Sequence, residues 1–266
     1  MIRLVVSDVD GTLLRHDKSV APSTVAAVGR LRAAGVELAL VSSRPPQGLD
    51  SLRGPLGLDT PRAGFNGGAI EDASGKLVEE HTIAEAACRE AVSLCEAAGA
   101  DVWVFAAGAW FLTNPDTQYV PREHRATGMA WQRVTDFSGH LAGVHKIMAS
   151  SDDPVLTANL ERTLQAHIGA QASVLRSQSY YVDVTHPAAN KGNAALSLAR
   201  LLGVPPAETA CLGDAPNDVP MFRVAGFSIA MGNASDEVKA QAKAVTADNE
   251  SDGWAQAIDR FILAAG

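Results

Sequence analysis

At 266 residues the chain is long enough for one large domain or two modest ones, each with its own core. Hydrophobic residues make up 47% and charged residues 20%, an ordinary balance for a globular chain. A net charge of −8 argues against a general nucleic-acid binder, yet a local cation could still hold a small anion in a cleft.

In chain order, Ile2 to Ser7 reads as an apolar strand that ends in acids. Pro22 to Ala34 has helical spacing, with Val25, Val28 and Leu31 on one side and Gly35 as the stop. Val36 to Val41 is a second apolar strand, followed by a helix around Gln47 to Gly57. Ala63 to Phe65 and Ala69 to Ile70 flank an Asn-Gly-Gly turn. Buried strands separated by amphipathic helices predict a doubly wound parallel sheet, an α/β core of Rossmann-like type.

The middle of the chain changes character. Ala84 to Ala98 reads as a helix, on which Cys88 and Cys95 share a face as small apolar residues rather than as a disulfide. Val102 to Phe105 and Trp110 to Leu112 read as a hairpin around Gly108. Then come a strand at His145 to Ala149, a helix over Val155 to His167, and paired strands at Ser173 to Leu175 and Tyr180 to Val184. Three of the four tryptophans and all three tyrosines fall here. We expect an inserted α/β domain over 84–186, mostly antiparallel, dividing a core made of 1–83 and 187–266.

The parallel rhythm then returns. Asn190 to Leu202 is a helix ending at Gly203, Thr209 to Leu212, Phe227 to Met231 and Ala244 to Thr246 are strands, and Trp254 to Leu263 is a helix. No run approaches membrane-spanning length and the start is no signal peptide, so a cytoplasmic location without membrane partners is expected.

Four polar clusters follow apolar strands: Asp8 to Thr12, Ser42-Ser43-Arg44, Asn66-Gly67-Gly68 and Gly213 to Asp218. In open parallel sheets the ligand crevice lies at the carboxyl ends of the strands, so the four should converge. Asp8 and Asp10, two apart at a strand end, can face one side, and Gly11 permits the turn beyond them. Close carboxylates repel unless a proton or cation intervenes, and with Asp214 as a third ligand an all-oxygen set suits magnesium. Lys191 opens a helix, where an ammonium and the backbone N–H groups favour a phosphate. Ser42 and Asn217 can donate hydrogen bonds to phosphate oxygens. Asp218 reads either as part of the site or as a helix cap. The histidines lack metal-binding spacings. Trp103, Phe105, Trp110 and Phe111 read as core, whereas Arg122, His124, Arg125, His145 and Lys146 are polar groups that could read a substrate.

Asp8 to Leu13, Ser42, Lys191 and Gly213 to Asp218, in that order, resemble the motifs of the haloacid dehalogenase superfamily. The turn at Asn66 and the stretch Lys191 to Ala194 look like its Cof-type phosphatases. The resemblance spans essentially the whole chain. One departure is Ser43, where the family has a glycine between the hydroxyl residue and Arg44. The resemblance implies a magnesium-dependent phosphatase of small phosphorylated metabolites, such as sugar phosphates or phosphorylated cofactors. Asp8 would be the nucleophile forming an aspartyl-phosphate, and Asp10 the general acid and base. Magnesium would be held by Asp8, Asp214 and the Asp10 backbone carbonyl, while Lys191, Ser42 and the backbone around Gly11 hold the phosphate. Ser43, Arg44, Asn66, Gly67 and Asn217 complete the expected substrate contacts, and the insertion would act as a cap. A phosphomutase with the same intermediate and a non-catalytic phosphometabolite sensor are the rival readings.

Overall fold

Val5 belongs to one apolar cluster and its neighbours Leu4 and Val6 to another, so strand β1 (Leu4–Ser7) is covered on both faces. In the computed structural model, which describes residues 1–264, the same pattern organises most of the chain. After β1 come α1 (Pro22–Ala33), β2 (Glu37–Val41), α2 (Asp50–Leu56), β3 (Arg62–Gly64), β4 (Ala69–Glu71) and β5 (Leu77–Glu80). Next are α3 (Glu85–Ala97), β6 (Asp101–Ala106), β7 (Ala109–Leu112), α4 (Val120–Thr127), β8 (Trp131–Arg133), β9 (Val144–Ser150), α5 (Pro154–Ile168), β10 (Ser173–Gln178) and β11 (Tyr181–Thr185). The chain continues through α6 (Lys191–Leu201), β12 (Thr209–Gly213), α7 (Val219–Val224), β13 (Phe227–Ala230), α8 (Asp236–Lys239), β14 (Ala244–Val245) and α9 (Gly253–Ala257).

Two compact units result: Met1–Glu79 together with the chain from Asn190 onward, and Glu80–Ala189. The first is built on a sheet in the order β14-β13-β12-β1-β2-β3-β4-β5. Its strands from β14 to β3 run parallel, and β4 turns back antiparallel to β3. One face packs on α1, α2 and α9, the other on α6 and α7. Trp254 to Leu263, expected as one helix, changes at Ile258 to a π-helical turn that keeps Ile258 and Ile262 in the core.

The second unit is a sheet in the order β10-β11-β9-β6-β7-β8, antiparallel except where β8 runs parallel to β7. The β6–β7 hairpin turns through Ala107 and Gly108, both at positive φ, which matches the twist of the strands. Val102, Val104, Ile147, Val182 and Val184 pack against α3 and α5, including both Cys88 and Cys95 as free, buried thiols. Strand alternation turns Trp103, Phe105, Trp110, Lys146, Tyr181 and Asp183 to the opposite face. The short elements α4 and β8 lack a readable pattern, because α4 buries only two residues and β8 none.

Candidate active site

Because β1, β2, β3 and β12 are parallel neighbours, the residues after them gather along one edge. Asp8 follows β1, Ser42 follows β2, a tight turn at Phe65–Gly67 follows β3, and Asp214 follows β12. The Asp8 N–H donates to the Leu212 carbonyl (2.9 Å), which ties the end of β1 to β12. Behind it the Ser7 hydroxyl donates to the Asp8 carbonyl (2.7 Å) and accepts from the Trp254 indole N–H (2.9 Å). The nucleophile candidate thus stands on backbone fixed from both sides.

Lys191, the first residue of α6, is buried and donates through Nζ to Asp8 Oδ1 (2.5 Å) and Asp218 Oδ1 (2.6 Å). The ammonium at a helix start is therefore balanced by carboxylates. Asp218 is fully buried, and its Oδ2 accepts the N–H groups of Asp214 and Ala215, both at 2.8 Å. Gly213 leaves the room this requires, since a Cβ there would strike the Asp218 carboxyl. Asp218 is thus both a loop brace and a partner of Lys191. Asp214 accepts the Thr12 hydroxyl on Oδ1 (3.0 Å) and the Asn233 amide on Oδ2 (3.2 Å). Burial pushes the Asp8 carboxyl up to about 8, against the pull of Lys191 and with the help of Asp218 and Asp214. Burial and Asp218 likewise raise Asp214. For Lys191, burial disfavours the charge, but Asp218 and Asp8 outweigh it and hold its pKa above the ordinary range.

Carboxylate oxygens of Asp8, Asp214 and Asp218 lie within 4.8 Å of one another, the metal-type grouping among the described residues. Three carboxylates here share one ammonium, a surplus of negative charge that a divalent cation would neutralise. The donor set is all oxygen, so the site fits magnesium.

Asp10 lies outside this grouping. Its carboxylate accepts Arg44 Nε (2.6 Å), Arg44 Nη2 (2.5 Å) and Lys18 Nζ (2.7 Å). Burial would raise its pKa, but Arg44 and Lys18 prevail and hold it below the usual carboxylate range. β1 ends at Ser7, so Asp8 and Asp10 both lie beyond the strand and its alternation does not set their directions. Ser42 is buried and its Oγ accepts the Arg44 N–H (3.1 Å), while its carbonyl accepts from the Asn66 N–H (2.8 Å). Ser43 stands where the resemblance expects glycine, and it does not adopt a positive φ, so the serine carries no left-handed strain. Phe65 and Asn66 do have positive φ, an arrangement costly for Phe and concentrated at functional loops. Gly67 (φ +102°) passes so close to Ala194 that a Cβ would clash. Asn217 Nδ2 donates to Asn66 Oδ1 (3.2 Å), joining the loops after β3 and β12. Gly11 (φ +82°) packs directly against the Asp214 carboxylate.

This geometry brings together a buried carboxylate, a fixed ammonium, a grouping of acidic oxygens that could hold a cation, and a second carboxylate held by Arg44 and Lys18, parts of the kind that phosphoryl transfer uses. A model of the haloacid dehalogenase-like hydrolase family matches residues 5–258. The chain belongs to that family. Among similar family members, the pyridoxal phosphate phosphatase YbhA of Escherichia coli is 28% identical, over 98% of this chain and 99% of its own length. The HMP-PP phosphatase of Cronobacter sakazakii is 30% identical, over 91% of this chain and 88% of its own. A haloacid dehalogenase-like hydrolase from Bacteroides thetaiotaomicron has the same fold, with a TM-score of 0.90 at 25% identity over 98% of this chain and all of its own. The enzyme is of the phosphoric monoester hydrolase class. Among the described residues no helix is long and apolar enough to cross a membrane.

Sequence reasoning includes Thr12 in the first polar cluster without giving it a role, and assigns no site role to Lys18, Asn233 or Trp254. Asn233 has a usable signal: Gly232 and Asn233 come just after β13, at the same sheet edge as the other clusters. Lys18 and Trp254 have none, because their contacts depend on how a loop and a helix fold back.

Proposed function

We propose that this hydrolase removes phosphate from small phosphorylated metabolites in two displacements, with Asp8 as the nucleophile. The observation that carries the reading is the buried set of Asp8, Lys191, Asp218 and Asp214 at the carboxyl edge of the sheet. Asp8 and Asp214, with Asp218 beside them and the Asp10 backbone carbonyl, would hold magnesium; bound there, it supplies positive charge that neutralises phosphate and carboxylates.

An Asp8 carboxylate oxygen attacks phosphorus as the bond to the ester oxygen breaks, giving an aspartyl-phosphate. Asp10 gives its proton to the departing alkoxide. It then takes a proton from the water that attacks the intermediate, which releases inorganic phosphate and restores Asp8. In the arrangement described, Arg44 and Lys18 favour ionised Asp10, the form suited to the second half. The acid half requires the carboxyl to part from them and gain a proton. Lys191 fixes Asp8, and with Ser42 and the backbone at Gly11 it holds non-bridging phosphate oxygens. Asn66, Gly67, Ser43 and Asn217 shape the remaining wall.

We assign choice of substrate to the unit Glu80–Ala189, acting as a cap. The sheet face turned away from α3 and α5 supports this reading: it carries the buried ion pair Lys146–Asp183 (2.9 Å) and the polar tips of Trp103, Trp110 and Tyr181. A phosphorylated cofactor fits the name of the pyridoxal phosphate phosphatase above, and sugar phosphates are the second class to test. Magnesium-dependent release of inorganic phosphate from an aryl phosphate is the expected result. Turnover of a sugar phosphate without free phosphate would mean a mutase, and binding without turnover a sensor. A panel of phosphorylated metabolites would then name the substrate.

A further inference from the structure

Asn233 sits just beyond β13 and joins three segments through one side chain. Its Nδ2 donates to the Gly11 carbonyl (2.8 Å) and to Asp214 Oδ2 (3.2 Å), and its Oδ1 accepts the Asn249 N–H (3.2 Å). Asn249 is buried and donates through Nδ2 to the Leu14 carbonyl (2.8 Å). Two amide side chains from the 232–249 stretch therefore grip two carbonyls of the segment that follows Asp8. Only Asn233 also reaches the carboxylate.

Asp214 is consequently held on three sides. Thr12 donates to Oδ1, Asn233 donates to Oδ2, and the bare α-carbon of Gly11 closes the space beside it. Each carboxylate oxygen accepts one hydrogen bond that fixes its direction and keeps a further lone pair for a cation. Partners of this kind orient a ligating carboxylate before the metal arrives. The contact with Gly11 adds a second consequence, since it packs the backbone after Asp8 directly against the Asp214 carboxylate.

We infer that Asn233 is a positioning residue for magnesium, locking the Asp214 carboxylate to the Gly11 backbone. The inference rests on the metal-dependent reading above. It concerns a residue that touches neither phosphate nor the reacting atoms.

The test is magnesium titration of the intact, substrate-free protein by calorimetry. Asn233→Ala should weaken magnesium binding about tenfold, the usual effect of losing such a partner. Thr12→Val should do the same from the other oxygen. The magnesium concentration for half-maximal turnover should rise in parallel, while KM for substrate at saturating magnesium stays within about twofold. Asn249→Ser removes the grip on Leu14 but keeps the backbone N–H that meets Asn233. It should lower the melting temperature and leave magnesium affinity within about twofold. Unchanged magnesium affinity in Asn233→Ala, or an equal loss in Asn249→Ser, overturns the inference. A wild-type protein that takes up no magnesium overturns instead the metal reading beneath it.

Discussion

In the unit formed around β1 and β12, the buried charges of the candidate site stand where strands end, and a separate buried pair, Arg62–Glu71, lies within β3 and β4; in the unit Glu80–Ala189 the buried pair Lys146–Asp183 stands within strands. Lys191 donates to both Asp8 and Asp218, and Asp218 also accepts two backbone N–H groups. Lys146 and Asp183 lie inside β9 and β11, and one oxygen of Asp183 is buried without a partner. The indole N–H groups of Trp103 and Trp110 and the Tyr181 hydroxyl share that condition. An unsatisfied buried polar group costs about 1–3 kcal/mol. The first arrangement is tightly hydrogen-bonded but short of positive charge, which agrees with the magnesium and phosphate site proposed for it. The second leaves buried polar atoms without partners, and under the proposed cap role it is this unit that meets the part of the substrate that varies.

The largest effect expected from this division is at Asp8, the proposed nucleophile. Asp8→Asn should fold normally and lose essentially all turnover on every substrate, because an amide is a poor nucleophile and a poor ligand. Retention of more than a few per cent of wild-type activity would remove Asp8 from its role. Chelation should abolish activity, with magnesium restoring it and calcium supporting little turnover, since calcium tolerates looser coordination. Full activity in chelator, or rescue by zinc alone, would show that the oxygen ligand set is misread.

Lys191→Met should depress all substrates alike. It should also destabilise the fold by roughly 3–5 kcal/mol in denaturant titrations, because it strips the partner from buried carboxylates. A stable variant with altered preference among substrates would blur the contrast between the units. The smallest effect belongs to the second unit. Arg122→Ala removes a guanidinium that lies 5.0 Å from the Tyr180 ring centroid. It should shift the ranking of metabolite substrates by about tenfold in kcat/KM and barely change a minimal aryl phosphate. Equal scaling of all substrates would break the proposed division of labour.

The same contrast explains what is legible in the amino-acid sequence. A polar cluster after an apolar strand is a local signal, and parallel pairing brings several such clusters to one edge. Asp8, Ser42, Lys191 and Asp214 are therefore legible from the order of residues alone. Asp218 can be read as a site residue or as the cap of the following helix; its side chain makes no cap bond to α7, and instead accepts the N–H groups of Asp214 and Ala215 and meets Lys191. Asp10 is legible as an acid beyond a strand end but not in its surroundings, because Lys18 and Arg44 reach it from separate loops. In the second unit Trp103, Phe105 and Trp110 are buried as expected of core residues. That they share a face with Lys146 and Asp183 follows from strand register, which single-strand patterns do not encode.

The covalent step is the centre of this account, and rapid quench with a phosphate-labelled substrate tests it most directly. Acid quenching within the first turnover should trap label on the protein, stable to acid, released by hydroxylamine and mapping to Asp8. Phosphate release at the full rate with no label on Asp8 at any time would contradict it.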